Sequence, residues 1–182
     1  MLRVHPDGTS SVHADFASLE EYPTNELSID ETGKGFLGTF GYDIYAGAPL
    51  KQGVVYRIDP EGQVTLAADG FDFPNGSVIL PGTRTLVIAH SFRPELTAFD
   101  IESDGTLAHR RTWAMLPDGT TADGLAVDPA GRVWVSSVLT SEFLRVSEGG
   151  DIDYHLMTPG RLAVDCVVDG RDEDVLYLST SN

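Results

Sequence analysis

An all-β propeller built from four-stranded blades is the fold the sequence predicts, and three observations predict it. Glycine and proline number 19 and 10 in 182 residues, a turn-rich balance suited to many short strands. No long stretch carries helical periodicity. Two kinds of hairpin recur in alternation, and two hairpins per unit make the four strands of a blade.

The first hairpin recurs at Asn25–Phe40, Phe73–His90, Ala122–Val138 and Leu162–Thr180. Each copy has a small or polar opening, a short apolar strand, a glycine turn and a second apolar strand. The turn glycines Gly33, Gly82, Gly131 and Gly170 are spaced by 49, 49 and 39 residues. The second hairpin starts at Leu2, Val55, Leu96 and Leu144. Turns such as Pro6-Asp7-Gly8, Pro60-Glu61-Gly62 and Ser103-Asp104-Gly105 close it, because glycine accepts positive φ without steric cost. A β-sandwich would not impose this recurrence. Three complete blades fit between about Phe16 and Leu156, with half a blade on either side. Residues 1–182 are therefore expected to form one partial propeller domain, with the first blade or blades and the closure missing.

Hydrophobic residues make up 41% of the chain, enough for a packed core. Phe36, Tyr56, Phe99, Trp134, Phe143 and Tyr177 recur on second or third strands and are expected to pack between blades. The net charge of −16 comes from 28 acidic against 12 basic side chains, which repels phosphate backbones and excludes nucleic acid as a partner. Cys166 is the one cysteine and lies in an apolar run, where a buried structural thiol is expected. No transmembrane run or signal peptide is recognisable, so no membrane partner and a cytoplasmic setting are expected. Among the five histidines no pair has metal-ligand spacing; His90 ends a strand near the expected channel rim, and the others sit on or beside outer hairpins.

The first strand of a blade lines the central channel, so polar residues at equivalent strand openings converge there. Those residues are Asn25, Asn75, Asp123 and Asp165. An amide oxygen and a carboxylate are hard ligands suited to Ca²⁺, Mg²⁺ or hydrated Zn²⁺. Asn75-Gly76 and Asp123-Gly124 are also turn dipeptides. They recur 48 residues apart at matching blade positions.

The runs Phe73–Trp113 and Ala122–Ser137, with Pro74-Asn75-Gly76, His109-Arg110-Arg111 and Asp123-Gly124 through Trp134, resemble the gluconolactonase and regucalcin (senescence marker protein) family. The likeness extends from about Leu2 to Thr180. It implies a six-bladed propeller that opens sugar lactones with one divalent metal ion. By that resemblance Asn75 and Asp123 are metal ligands, Asp123 is also catalytic, and Asn25 contacts substrate. Asp43 is a looser match to a substrate-contacting acid. The family's glutamate ligand has no counterpart. Pro23 stands where the family often has arginine, and Glu26 replaces an aspartate. The expected partner is a small sugar lactone; oligomeric state is left open. Alternatives are a related propeller esterase or phosphoesterase, and a non-catalytic calcium- or protein-binding propeller.

Overall fold

The computed structural model describes residues 1–171 and 175–182. Every regular element among them is a strand. They are β1 (Leu2–Val4), β2 (Ser10–Val12), β3 (Thr24–Ile29), β4 (Gly35–Thr39), β5 (Gly53–Ile58), β6 (Val64–Phe71), β7 (Pro74–Ile79), β8 (Thr85–His90), β9 (Glu95–Ile101), β10 (Leu107–Met115), β11 (Ala122–Val127), β12 (Val133–Ser137), β13 (Glu142–Val146), β14 (Ile152–Met157), β15 (Leu162–Val168) and β16 (Leu176–Ser181). β3–β6, β7–β10 and β11–β14 form three antiparallel four-stranded sheets in chain order; β1–β2 and β15–β16 form two-stranded sheets. These are the three blades and two half blades expected.

Local chemistry fixes the hairpins. The Asp30 carboxylate accepts hydrogen bonds from the amides of Thr32 and Lys34, at 2.8 and 2.9 Å. Asp128 does the same for Ala130 and Arg132, both at 3.0 Å. Such side-chain caps mimic a backbone turn and start the return strand. Gly8, Gly62 and Gly105 take positive φ as expected; of the first hairpin's turn glycines, Gly33, Gly82 and Gly131 do so and Gly170 does not. Residues 172–174 of that last turn, part of the fourth repeat, lie outside the described residues.

Side chains alternate along each strand, so a blade packs against both neighbours. Val133 and Val135 join Val87, Ala98 and Trp113 in the core shared with the preceding blade. Trp134, between them, packs instead with Phe143, Ala163 and Cys166 toward β15. Phe36, Phe71, Ile88 and Phe99 fill the space between the first two complete blades. Five of the six aromatics expected in the core are buried there. Tyr177 is the correction: on β16, it is 57% exposed, because no described strand packs over that face. The innermost strands β3, β7, β11 and β15 lie side by side in succession.

Candidate functional site

Each of the innermost strands breaks register near its start. Thr24 pairs with Thr39 but Leu27 with Leu37, so three steps on β3 face two on β4. The same slip separates Pro74 from Ser77 on β7 and Ala122 from Leu125 on β11. A bulge of this kind re-aims side chains and is common beside functional sites. The bulged pairs are Asn25-Glu26, Asn75-Gly76 and Asp123-Gly124. On β15, Ala163 pairs with Thr180 and Asp165 with Ser179. Register therefore makes Val164 the counterpart of Asn25, Asn75 and Asp123. Asp165 matches Glu26, Gly76 and Gly124, one residue on from its expected equivalence.

The two glycines permit the close approach of inner strands. A Cβ at Gly76 would lie 2.3 Å from the Asp123 carbonyl oxygen and 2.6 Å from the Leu125 nitrogen. One at Gly124 would lie 2.0 Å from an oxygen of Asp165. The neighbouring strand occupies the volume a side chain would need.

Asn25, Asn75 and Asp123 line one open cavity of about 310 Å³, with Phe73, Ser91 and Phe92 among its other walls. Asn25 donates its amide to the Pro74 carbonyl at 3.1 Å, tying β3 to β7. Asn75 is buried and donates to Ser91 Oγ at 3.0 Å. Ser91 in turn donates to the Ala122 carbonyl at 2.8 Å. The Asn75 amide also lies close enough to Asp123 to favour its charged form. The bond to Ser91 orients the amide, and Oδ1 remains available as an acceptor.

The charge here is concentrated and negative. Burial pushes Glu26 up to about 7, and the carboxylates of Asp165 and Asp123 add to the shift. Burial likewise raises Asp123 to about 6, opposed by the Asn75 hydrogen bond and reinforced by Asp165. The groups that act on the pair are all carboxylates apart from that amide. Hard oxygens with excess negative charge suit a divalent cation. Asn75 Oδ1 and the Asp123 carboxylate are a partial donor set for one, since no three His, Cys, Asp or Glu among the described residues form a metal cage.

Asp43 is not brought to this cavity. It accepts the Ala46 amide at 2.9 Å within its own turn. His90 is fully buried behind the site, stacked on Phe71 at 5.0 Å and bonded to Thr97. Burial, reinforced by Arg93, pushes it down to about 3, so it stays neutral. Burial pushes the Cys166 thiol up to about 12, which makes it inert. Two features escaped the sequence reading. One is the approach of Glu26 to Asp123 and Asp165. The other is an aromatic wall. Phe73 holds φ at 63°, a left-handed conformation rare for an aromatic residue. Its ring lies 4.5 Å from Phe40 and 5.3 Å from Phe92. The signal for this strain, a bulky residue directly before Pro-Asn-Gly, was visible but not distinctive.

Bulged inner strands that bring two amides and one carboxylate to a shared cavity define a β-propeller with its candidate site at the openings of those strands. The chain matches the family described as SMP-30/Gluconolactonase/LRE-like region over residues 2–182, and it belongs to that family. Regucalcin of Danio rerio is 25% identical over 171 residues, covering 91% of this chain and 57% of its own length. A pentonolactonase of Haloferax volcanii is 24% identical over 170 residues, covering 91% and 56%. Among solved structures, a gluconolactonase from Xanthomonas campestris is 28% identical with a TM-score of 0.79, covering 99% of this chain and 62% of its own. A calcium-binding regucalcin from Agrobacterium tumefaciens superposes with a TM-score of 0.82 at 18% identity, covering 96% and 59%. The chain thus spans little more than half the length of the curated relatives it matches.

Proposed function

We propose that this chain carries the central part of a metal-dependent lactone-hydrolase site, within a single larger propeller. The observation that carries the reading is the shared cavity of Asn25, Asn75 and Asp123, with Asp123 held at about 6. Relatives described as a pentonolactonase and a gluconolactonase support a lactone substrate.

In this reading Asn75 and Asp123 hold the cation, and a glutamate from another blade, as the resemblance implies, completes the set. Bound there, a divalent cation polarises an ester carbonyl and acidifies water. Ser91 fixes the Asn75 amide so that Oδ1 is the ligand atom. Asp123, once ionised, takes a proton from the attacking water. The water oxygen bonds to the carbonyl carbon, the ring C–O bond breaks, and the leaving oxygen takes the proton back from Asp123, giving an open hydroxy acid. Asn25, its amide N–H held by the Pro74 carbonyl, contacts substrate through its free Oδ1. Asp43, engaged in its own turn, has no part in this scheme.

The test is acid release on lactone hydrolysis, followed with a pH indicator. Chelation should abolish turnover and Ca²⁺, Mg²⁺ or Zn²⁺ should restore it. Asp123→Asn should lower kcat/KM on the order of 100-fold or more. Turnover that survives both chelation and Asp123→Asn would refute the reading. Relatives named regucalcin, one of them described as calcium-binding, favour a second reading as a cation-binding propeller without turnover.

A further inference from the structure

From the walls of this cavity we infer that its substrate is a lactone bearing an apolar substituent beside the ester, rather than a bare polyhydroxylated aldonolactone. The inference rests on the lactone-hydrolase reading and refines its substrate class.

The floor of the cavity is polar, but the rim is apolar. Phe40, Phe73, Phe92, Val138 and Leu139 line it together. Phe92 is 47% exposed and Leu139 72% exposed. Two large apolar side chains thus face solvent beside a buried amide and a carboxylate, and such an exposed cluster marks a place where something apolar lands. The cluster is built rather than incidental. Ser91 donates its backbone N–H to the Phe73 carbonyl at 3.0 Å, and Phe92 donates to the Asp72 carbonyl at 3.2 Å. These bonds fix the turn that presents Phe73 and Phe92 edge to face. Tyr42 packs behind Phe73, at 6.1 Å. Backbone held in a sparsely populated region persists where the surroundings over-determine it, and such outliers cluster at ligand clamps.

Hydroxyl-rich rings need donors and acceptors around their edge, and this rim offers few. Asn75 Oδ1 and the Asp123 carboxylate are reserved for the cation, and much of the remaining polar capacity of the cavity is engaged within the protein. Thr121 Oγ1 accepts the Leu139 amide at 2.8 Å. Ser91 bonds Asn75 and the Ala122 carbonyl. Asn25 donates to the Pro74 carbonyl. A sugar hydroxyl pressed against phenyl and leucyl groups would lose water without gaining a partner. An aryl or branched alkyl group would bury itself there, while its ester reached Asp123.

The experiment compares D-glucono-δ-lactone with a six-membered lactone carrying a phenyl group beside the ring oxygen. The phenyl lactone should show kcat/KM at least about tenfold higher. Phe92→Ala and Leu139→Ser, both surface changes that spare the core, should bring that ratio toward one. Equal or better turnover of gluconolactone, or a ratio unmoved by both variants, would overturn the inference. If neither lactone is opened, the hydrolase reading fails on its own, and calorimetric binding of the two ring-opened acids decides the substrate class. Tighter binding of the phenyl acid, weakened by Phe92→Ala, upholds the apolar pocket; equal binding removes it.

Discussion

At the scale of single residues, the site is a place where negative charge is held out of water. Glu26 and Asp123 both have folded-state affinities for protons above their ordinary values, at about 7 and about 6. The sign of the linkage follows. A raised carboxyl favours the folded state while protonated, so its contribution is complete below about pH 4 and is lost as pH rises through 6 to 7. In the presence of a chelator, the protein should therefore melt at a lower temperature at pH 8 than at pH 5. Glu26→Gln should recover about 1–2 kcal/mol at pH 8, allowing for solvent screening, which thermal unfolding would register as a few degrees. A melting temperature that is flat in pH, or lowered by Glu26→Gln at pH 8, would show that Glu26 is not held in this environment. Asn75 and Asp123 could be singled out in the sequence because each precedes glycine at the same place in its repeat. Glu26 could not, since on β3 the glycine position is filled by the acid itself. Asp165 was misplaced by one residue because its strand has Val164 where the others have the polar ligand.

At the scale of elements, the bulge at the head of each inner strand does the positioning. The hairpins were legible from glycine turns and alternation, since those depend on local chemistry. The bulges were not, because they are a property of pairing between strands. They make a graded prediction. Gly76→Ala meets only backbone atoms of β11 and should cost about 2–3 kcal/mol, measured by denaturant unfolding. Gly124→Ala meets mainly the exposed side chain of Asp165 and should cost less. Adding Asp165→Ala should restore part of that loss, a coupling a double-mutant cycle would read directly. Equal costs for the two glycines would argue against this packing. The aromatic rim stayed hidden for a related reason: Phe40, Phe73 and Phe92 are separated by up to 52 residues and meet only once two blades stand side by side.

At the scale of the molecule, the core lies between blades, so stability depends on neighbours. Trp113 is buried and belongs to the cluster that joins the second and third complete blades. Trp113→Ala should cost about 3–5 kcal/mol in equilibrium unfolding. The repeat period and the ordered series of motifs were enough to read this architecture and the family from sequence. What a period cannot supply is which side chains of different blades share a cavity, and that sharing is the core of the account. Calorimetric titration of Ca²⁺, Mg²⁺ and Zn²⁺ into the native chain, Asn75→Ala and Asp123→Ala tests it most directly. Binding by the native chain that is lost in both variants is the predicted result. Equal binding by all three proteins would place the cation elsewhere and contradict it.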